Sequence, residues 1–346
     1  MSEFSLMPVD EFRLENFEPG QKASFLLRFD SDRPEEGVIP INVIKGFEPG
    51  ITLLVMAAVH GDEYEGVMTA IRLFRRLTPE DIRGTLVIIP VANMSAYLHG
   101  TRTSGADGEN LARVFPGRPD GSFTSRLAWH LRRTFIARAD FLLDMHSGGT
   151  DYALPPMVGF DDRPNTEAGK RSIAAAESFG MPIIWGHPTV APGRTISAAI
   201  EHGVPWLYTE CYGGKRIRAE EQRLYEQGAL RLMCHLNMLR NPHHWIEDPP
   251  SPIQYRLTGD GNLDEAAAAE HDGFFIPEVR LAERVEAGAV IGTIYNWYGE
   301  PLQTVRTKKA GLVMMLRETP KTRKGDGLYV VADIRTDGHG ENVAEL

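Results

Sequence analysis

ITLLVMAAVHGDEYEG, Ile51 to Gly66, decides how this chain is read. An unbroken apolar run reaches Val59 and then gives way to His60, Gly61, Asp62 and Glu63. Apolar residues without alternation suit a strand buried on both faces, as in α/β sheets. The next stretch, Glu65 to Leu77, places Val67, Ala70, Ile71 and Phe74 on one helical face. A buried strand thus passes through a polar loop into a helix. In α/β sheets that junction is where sites form.

The pattern continues outward. TLVIIPVAN after Gly84, FLLDMH, MPIIW and VPWLYTE read as strands. Stretches 126–137, 170–179, 196–202 and 220–239 read as helices. Strands spaced by helices predict a largely parallel sheet covered on both faces. The proline-rich segment Asn241 to Gln254 interrupts this rhythm, and beyond it the texture is β-like: FFIPEV, AVIGTIYNW, LQTVRT, GLVMML, GLYVVADI. RVEAGAVIGTI and RKGDGLYVVA echo each other weakly, which suggests a small barrel or sandwich. The expected division is a catalytic α/β domain over 1–245 and a small β domain over 255–335.

Composition narrows the function classes. The 346 residues are 42% hydrophobic and 24% charged, with a net charge of −10. That balance disfavours nucleic acid and anionic membranes as partners. Two cysteines, Cys211 and Cys234, are too few for a disulfide framework, and no apolar run approaches a membrane span. With no signal peptide read at the N-terminus, a cytoplasmic protein is expected.

Three stretches share one syntax, an apolar strand ending in groups that bind metal or move protons: VMAAVH-GDE, FLLD-MH-SGG and WLYT-E-CYGG. Parallel strand ends converge on one edge, so His60, Glu63, His146 and Glu210 can meet there. Two histidines and a glutamate form a ligand set used by hydrolytic zinc, with a fourth position left for water. Taken alone, His60-x-x-Glu63 is weak, because a satisfied loop histidine is commoner. His146 after a second strand changes that balance. Asp144 falls on the same strand face as His146 and is a candidate acceptor for its ring, or a loop cap. Asp62 either holds the loop or faces water. Glu210 is a candidate proton carrier, against the alternative of a buried acid paired with arginine. Cys211 has no evident base beside it. The glycine-rich stretch Thr101 to Gly121 holds Arg102, Arg113 and Arg118, which suit carboxylates or a developing oxyanion, or simply face solvent. Arg194, in APGRTIS, is a further loop arginine.

Together these residues resemble the succinylglutamate desuccinylase and aspartoacylase family, within the wider zinc-carboxypeptidase-like group. The resemblance runs from about Ile51 to the end of the tail, and the HGDEYEG wording and the tail look most like its N-acetyl-diaminobutyrate deacetylase-like branch. It implies a zinc-carboxypeptidase-like α/β fold: a mixed sheet flanked by helices, with a smaller C-terminal all-β domain beside the site. It implies His60, Glu63 and His146 as ligands of one zinc per chain, Glu210 as general base and Arg102 polarising the scissile carbonyl. Arg113, with Asn110, would bind the substrate carboxylate. The implied substrate is a small anionic N-acyl amino acid, cleaved at its amide. One position departs: the family usually reads N-L-N-R, and here Asn110-Leu111-Ala112-Arg113 replaces the second asparagine by alanine. A metallocarboxypeptidase acting on peptides would use the same metal set. A carrier protein would need an exposed lysine in a Met-Lys-Met setting, which Lys308 and Lys309 lack. Oligomeric state is not fixed by the sequence, and a homo-oligomer is compatible with it.

Overall fold

A computed structural model describes residues 5–247, 249–262 and 266–335. In chain order, the strands leading to the tail are β1 (Ser5–Pro8), β2 (Lys22–Arg28), β3 (Val38–Lys45), β4 (Glu48–Ala57), β5 (Arg83–Ile89), β6 (Phe141–Met145), β7 (Tyr152–Ala153), β8 (Met157–Asp161), β9 (Ile183–His187), β10 (Trp206–Glu210) and β11 (Tyr255–Thr258). The helices that cover them are α1 (Glu65–Arg76), α2 (Met94–His99), α3 (Phe123–Thr134), α4 (Glu167–Phe179), α5 (Thr195–Glu201) and α6 (Ala219–His235).

Across the sheet the order is β1-β2-β3-β5-β4-β6-β10-β8-β9-β11. The centre, β5-β4-β6-β10, is parallel. Parallel pairing returns at β1–β2 and through β8–β9–β11, and antiparallel pairs lie between. β2, β3 and β5 pair antiparallel, and so do β10 and β8. The sheet is therefore mixed. The early hairpin β2–β3 has no helix between its strands, so the strand-helix alternation does not register it.

β4 shows why its sequence is apolar without a break. Leu53, Val55 and Ala57 enter one core, while Leu54 and Met56 enter the other. The first core packs under α1, α4 and α6 through residues such as Leu73, Phe179 and Leu230. The second packs under α3 and α5 through Leu131 and Ala199. A strand facing water on one side would alternate; this one has no side to expose.

The tail is all β, and its predicted strands fall within a residue or two of Gly273–Pro277, Val290–Tyr295, Pro301–Arg306, Gly311–Arg317 and Gly327–Ile334. The first three belong to a four-stranded sheet; the last two join the large one. Phe275, Ile291, Ile294, Val313 and Leu328 share one core. Gly311–Arg317 pairs with β7, and Gly327–Ile334 pairs with β11. The tail thus shares backbone hydrogen bonds with the α/β sheet. Among the described residues, no helix is long and apolar enough to cross a membrane.

Candidate metal centre

The carboxyl ends of β4, β6 and β10 lie side by side. After β4 the chain turns through Ala58, whose φ of 49° lies in the left-handed region, and reaches His60. Gly61 backs directly onto α2. A Cβ there would lie 1.9 Å from the Ala96 carbonyl carbon, so no side chain fits. The turn delivers His60 and Glu63 to the edge before α1 begins. β6 ends one residue before His146, whose N–H donates to the Thr209 carbonyl of β10 over 3.0 Å. Glu210 closes β10.

The ligand atoms of His60, Glu63 and His146 all lie within 4.8 Å of one another, and all three side chains are buried or nearly so. Glu63 sits between the rings. Its Oε1 is 2.7 Å from His60 Nδ1 and its Oε2 is 2.9 Å from His146 Nδ1. The outer ring nitrogens are also held. His146 Nε2 faces Asp144 Oδ2 at 3.1 Å, and His60 Nε2 faces Asn110 Oδ1 at 3.2 Å. Outer acceptors of this kind fix the ring and direct the other nitrogen inward. Thr195 donates to Asp144, and Tyr225 donates to the His146 carbonyl. Asp62 holds the loop: its Oδ2 accepts from the Thr150 N–H and hydroxyl at 2.8 and 2.7 Å.

The electrostatics favour positive charge at this point. Burial and then the Arg102 cation bring His60 down to about 4. Burial alone would also lower His146, but the Asp144 and Glu63 carboxylates outweigh it and hold that ring well above its ordinary value. Burial, followed by the Glu63 carboxylate, pushes Glu210 up to about 8. Glu210 Oε2 is buried without a hydrogen-bond partner among the described residues. Arg102 and a proton on His146 stand against the Glu63 and Asp144 carboxylates. Two imidazoles and a carboxylate converging on one point, backed by further carboxylates, fit a divalent cation such as zinc.

A cavity opens over these groups. Of the expected residues, His60, His146, Glu210, Arg102 and Arg113 line it, and so do Asp144 and Arg194. Arg102 Nη1 lies 3.3 Å from His60 Nδ1 and 3.4 Å from Glu63 Oε1. Asn110 is not among the lining residues. Its Oδ1 is engaged by His60 and by the Ala112 N–H, behind the metal-facing surface. Ala112 does line the cavity, so the position that departs from the family pattern faces the space a ligand would fill. Cys211 is fully buried and does not line the cavity, and burial raises its thiol well above the ordinary range. It forms a second buried group with Glu65 and Glu221, none of which reaches the cavity. Residues that the motifs did not single out complete the wall: Trp185, His187, Thr195, Tyr208 and Asp260.

Comparison with known proteins defines the class. A family model described as the succinylglutamate desuccinylase/aspartoacylase catalytic domain matches residues 49–236, and the chain belongs to that family. Among its relatives is the N-alpha-acetyl-L-2,4-diaminobutyric acid deacetylase of Halomonas elongata, 30% identical over 300 residues, 86% of each chain. Two solved structures share the fold at 28% identity. A succinylglutamate desuccinylase from Silicibacter sp. TM1040 has a TM-score of 0.82 over 94% of this chain and 98% of the other. The product-bound ectoine utilization protein EutE from Ruegeria pomeroyi has a TM-score of 0.81 over 93% and 97%.

Proposed function

We propose that this chain is a zinc-dependent amidohydrolase that removes the acyl group from a small N-acyl amino acid. The observation that carries the reading is the convergence of His60, Glu63 and His146 within 4.8 Å, with His60 and His146 lining the same cavity as Glu210. These three would hold one zinc ion per chain. When bound, zinc lowers the pKa of water and polarises a carbonyl.

The remaining roles belong to the chain's own groups. Glu210, with Oε2 unpartnered, takes the proton from the water that attacks the acyl carbonyl and delivers it to the departing amine nitrogen. Cationic charge among the three ligands would bring its raised pKa back down, leaving it able to accept that proton. Arg102 stabilises the oxyanion that forms, and Arg113 offers its planar fork to the substrate carboxylate. Asp144 and Asn110 keep the two imidazoles turned inward. The products are a carboxylate and a free amine. The name of the Halomonas relative specifies N-α-acetyl-L-2,4-diaminobutyric acid, which we carry over as the leading substrate.

The test is release of free amine from a panel of N-acetyl and N-succinyl amino acids and a C-terminal dipeptide, with the protein chelated and then reloaded with zinc. Zinc-restored hydrolysis of the acyl amino acids, with the peptide left intact, supports the reading. Hydrolysis of the peptide alone would replace it with a carboxypeptidase.

A further inference from the structure

The two imidazoles of the metal centre are braced by different chemistry. Behind His60 stands a neutral amide, Asn110, whose Oδ1 also accepts from the Ala112 N–H at 2.9 Å. Behind His146 stands a carboxylate, Asp144, fully buried in β6. In both rings Nδ1 faces Glu63, so Nε2 carries the ring's proton outward when Nδ1 is a ligand. An amide has one oxygen to offer that proton. A carboxylate has two, and the ring alone does not choose between them.

Thr195 makes the choice. An ionised carboxylate can only accept, so the threonine hydroxyl donates its single proton to Asp144 Oδ2. The same oxygen faces His146 Nε2 at 3.1 Å. Asp144 Oδ1 is buried and has no hydrogen-bond partner among the described residues. Two donors thus converge on one oxygen while the other is left over. That arrangement holds the carboxylate plane at one angle, and the imidazole follows it.

The hydroxyl is presented by a fixed element. Thr195 is the first residue of α5 and is buried. Just before it, the Arg194 N–H donates to Ser197 Oγ at 2.9 Å, and that hydroxyl donates back to the Arg194 carbonyl at 2.7 Å. Ile196, Ala198 and Ala199 seat the helix in the second core. Packing and the helix cap therefore fix where the threonine side chain stands, as a ligand's supporting groups require. Valine has nearly the same shape and lacks only the donor, so the hydroxyl can be removed with little change in packing.

We propose that Thr195 is a positioning residue of the metal centre: by fixing the Asp144 carboxylate it sets the angle of the His146 imidazole, and with it the affinity for the metal. The proposal rests on the metal reading above and adds to it a residue from a different element, 49 positions from His146 in the chain. Thr195 acts on the metal through Asp144. It also borders the cavity, so the readout that isolates its role is metal affinity measured without substrate.

The experiment is zinc affinity by chelator competition, with no substrate present, in wild type, Thr195→Val, Thr195→Ser, Asp144→Asn and the double variant Thr195→Val with Asp144→Asn. Thr195→Val should weaken zinc binding by about 3- to 10-fold, a part of the loss of about 10- to 100-fold expected when the outer acceptor itself is changed. Thr195→Ser keeps the donor and should bind zinc as the wild type does. With Asp144→Asn already in place, Thr195→Val should cost nothing further, because the two residues act in one chain of hydrogen bonds. A hydroxyl that served only the fold would lower the melting temperature of the valine variant and leave its zinc affinity unchanged. That result, a failure of serine to restore affinity, or losses that simply multiply in the double variant overturns this inference and leaves the metal site standing. Wild-type protein that binds no zinc overturns both.

Discussion

The two ends of the cavity are built differently. At the metal end, the groups sit at the last residues of strands or just past them, where a buried apolar run meets a polar loop. At the aromatic end, Trp185, His187 and Tyr208 lie within strands, and they meet only because Gly159 leaves room between them. The first end depends on charge, with Glu63 and Asp144 drawing positive charge to His146. The second depends on neutral hydrogen bonds, with His187 Nδ1 donating to the Gly259 carbonyl and Tyr208 donating to Nε2. Chemistry should therefore fail when the first end is changed, and stability when the second is.

The largest expected effect lies at the metal end. Glu210→Gln should lower kcat by about 10²- to 10⁴-fold, the usual contribution of a positioned acid-base group, while zinc content is unchanged. Steady-state kinetics beside elemental analysis checks both halves. A variant that lost zinc as well would make Glu210 part of the binding set and blur the comparison.

The next effect concerns pH at the aromatic end. His187 has a folded pKa near 4, below its ordinary value of 6.5. Its contribution is therefore fully present above 6.5 and is lost as pH falls from 6.5 towards 4, about 3 kcal/mol in all. Denaturation of wild type and His187→Gln across that range should give stability curves that converge in acid. Parallel curves would mean that the ring is not held neutral.

Asp144→Asn removes the carboxylate behind His146 and should weaken zinc binding by about 10- to 100-fold, measured by chelator competition. The smallest effect belongs to Gly159→Ala. A Cβ 2.0 Å from the Tyr208 ring must displace it, at a cost of about 1–3 kcal/mol in stability. Zinc content should be unchanged.

The same contrast explains what the sequence reveals. His60, Glu63, His146 and Glu210 are legible because an apolar strand that stops at an ionisable residue is an unusual local pattern. Strand positions were legible where both faces are buried, as in β4, or where the tail supplies turn residues between short apolar runs. The antiparallel β8 was not, because MVGF is four residues long and direction leaves no mark on composition. Tyr208 and His187 read as ordinary apolar-strand residues. Their partnership depends on β8 lying between β9 and β10, a matter of sheet order, and on an unremarked glycine. Asn110 illustrates the converse. The motif resemblance assigns it to the substrate, whereas the geometry engages its Oδ1 with His60 and the Ala112 N–H.

The most direct test of the central claim is metal content in wild type and His146→Ala, measured by elemental analysis alongside release of free amine from N-α-acetyl-2,4-diaminobutyrate. The account predicts about one zinc per chain in the wild type, none in the variant, and loss of hydrolysis together with the metal. Wild-type protein that hydrolyses the compound at full rate after exhaustive removal of metal would contradict it.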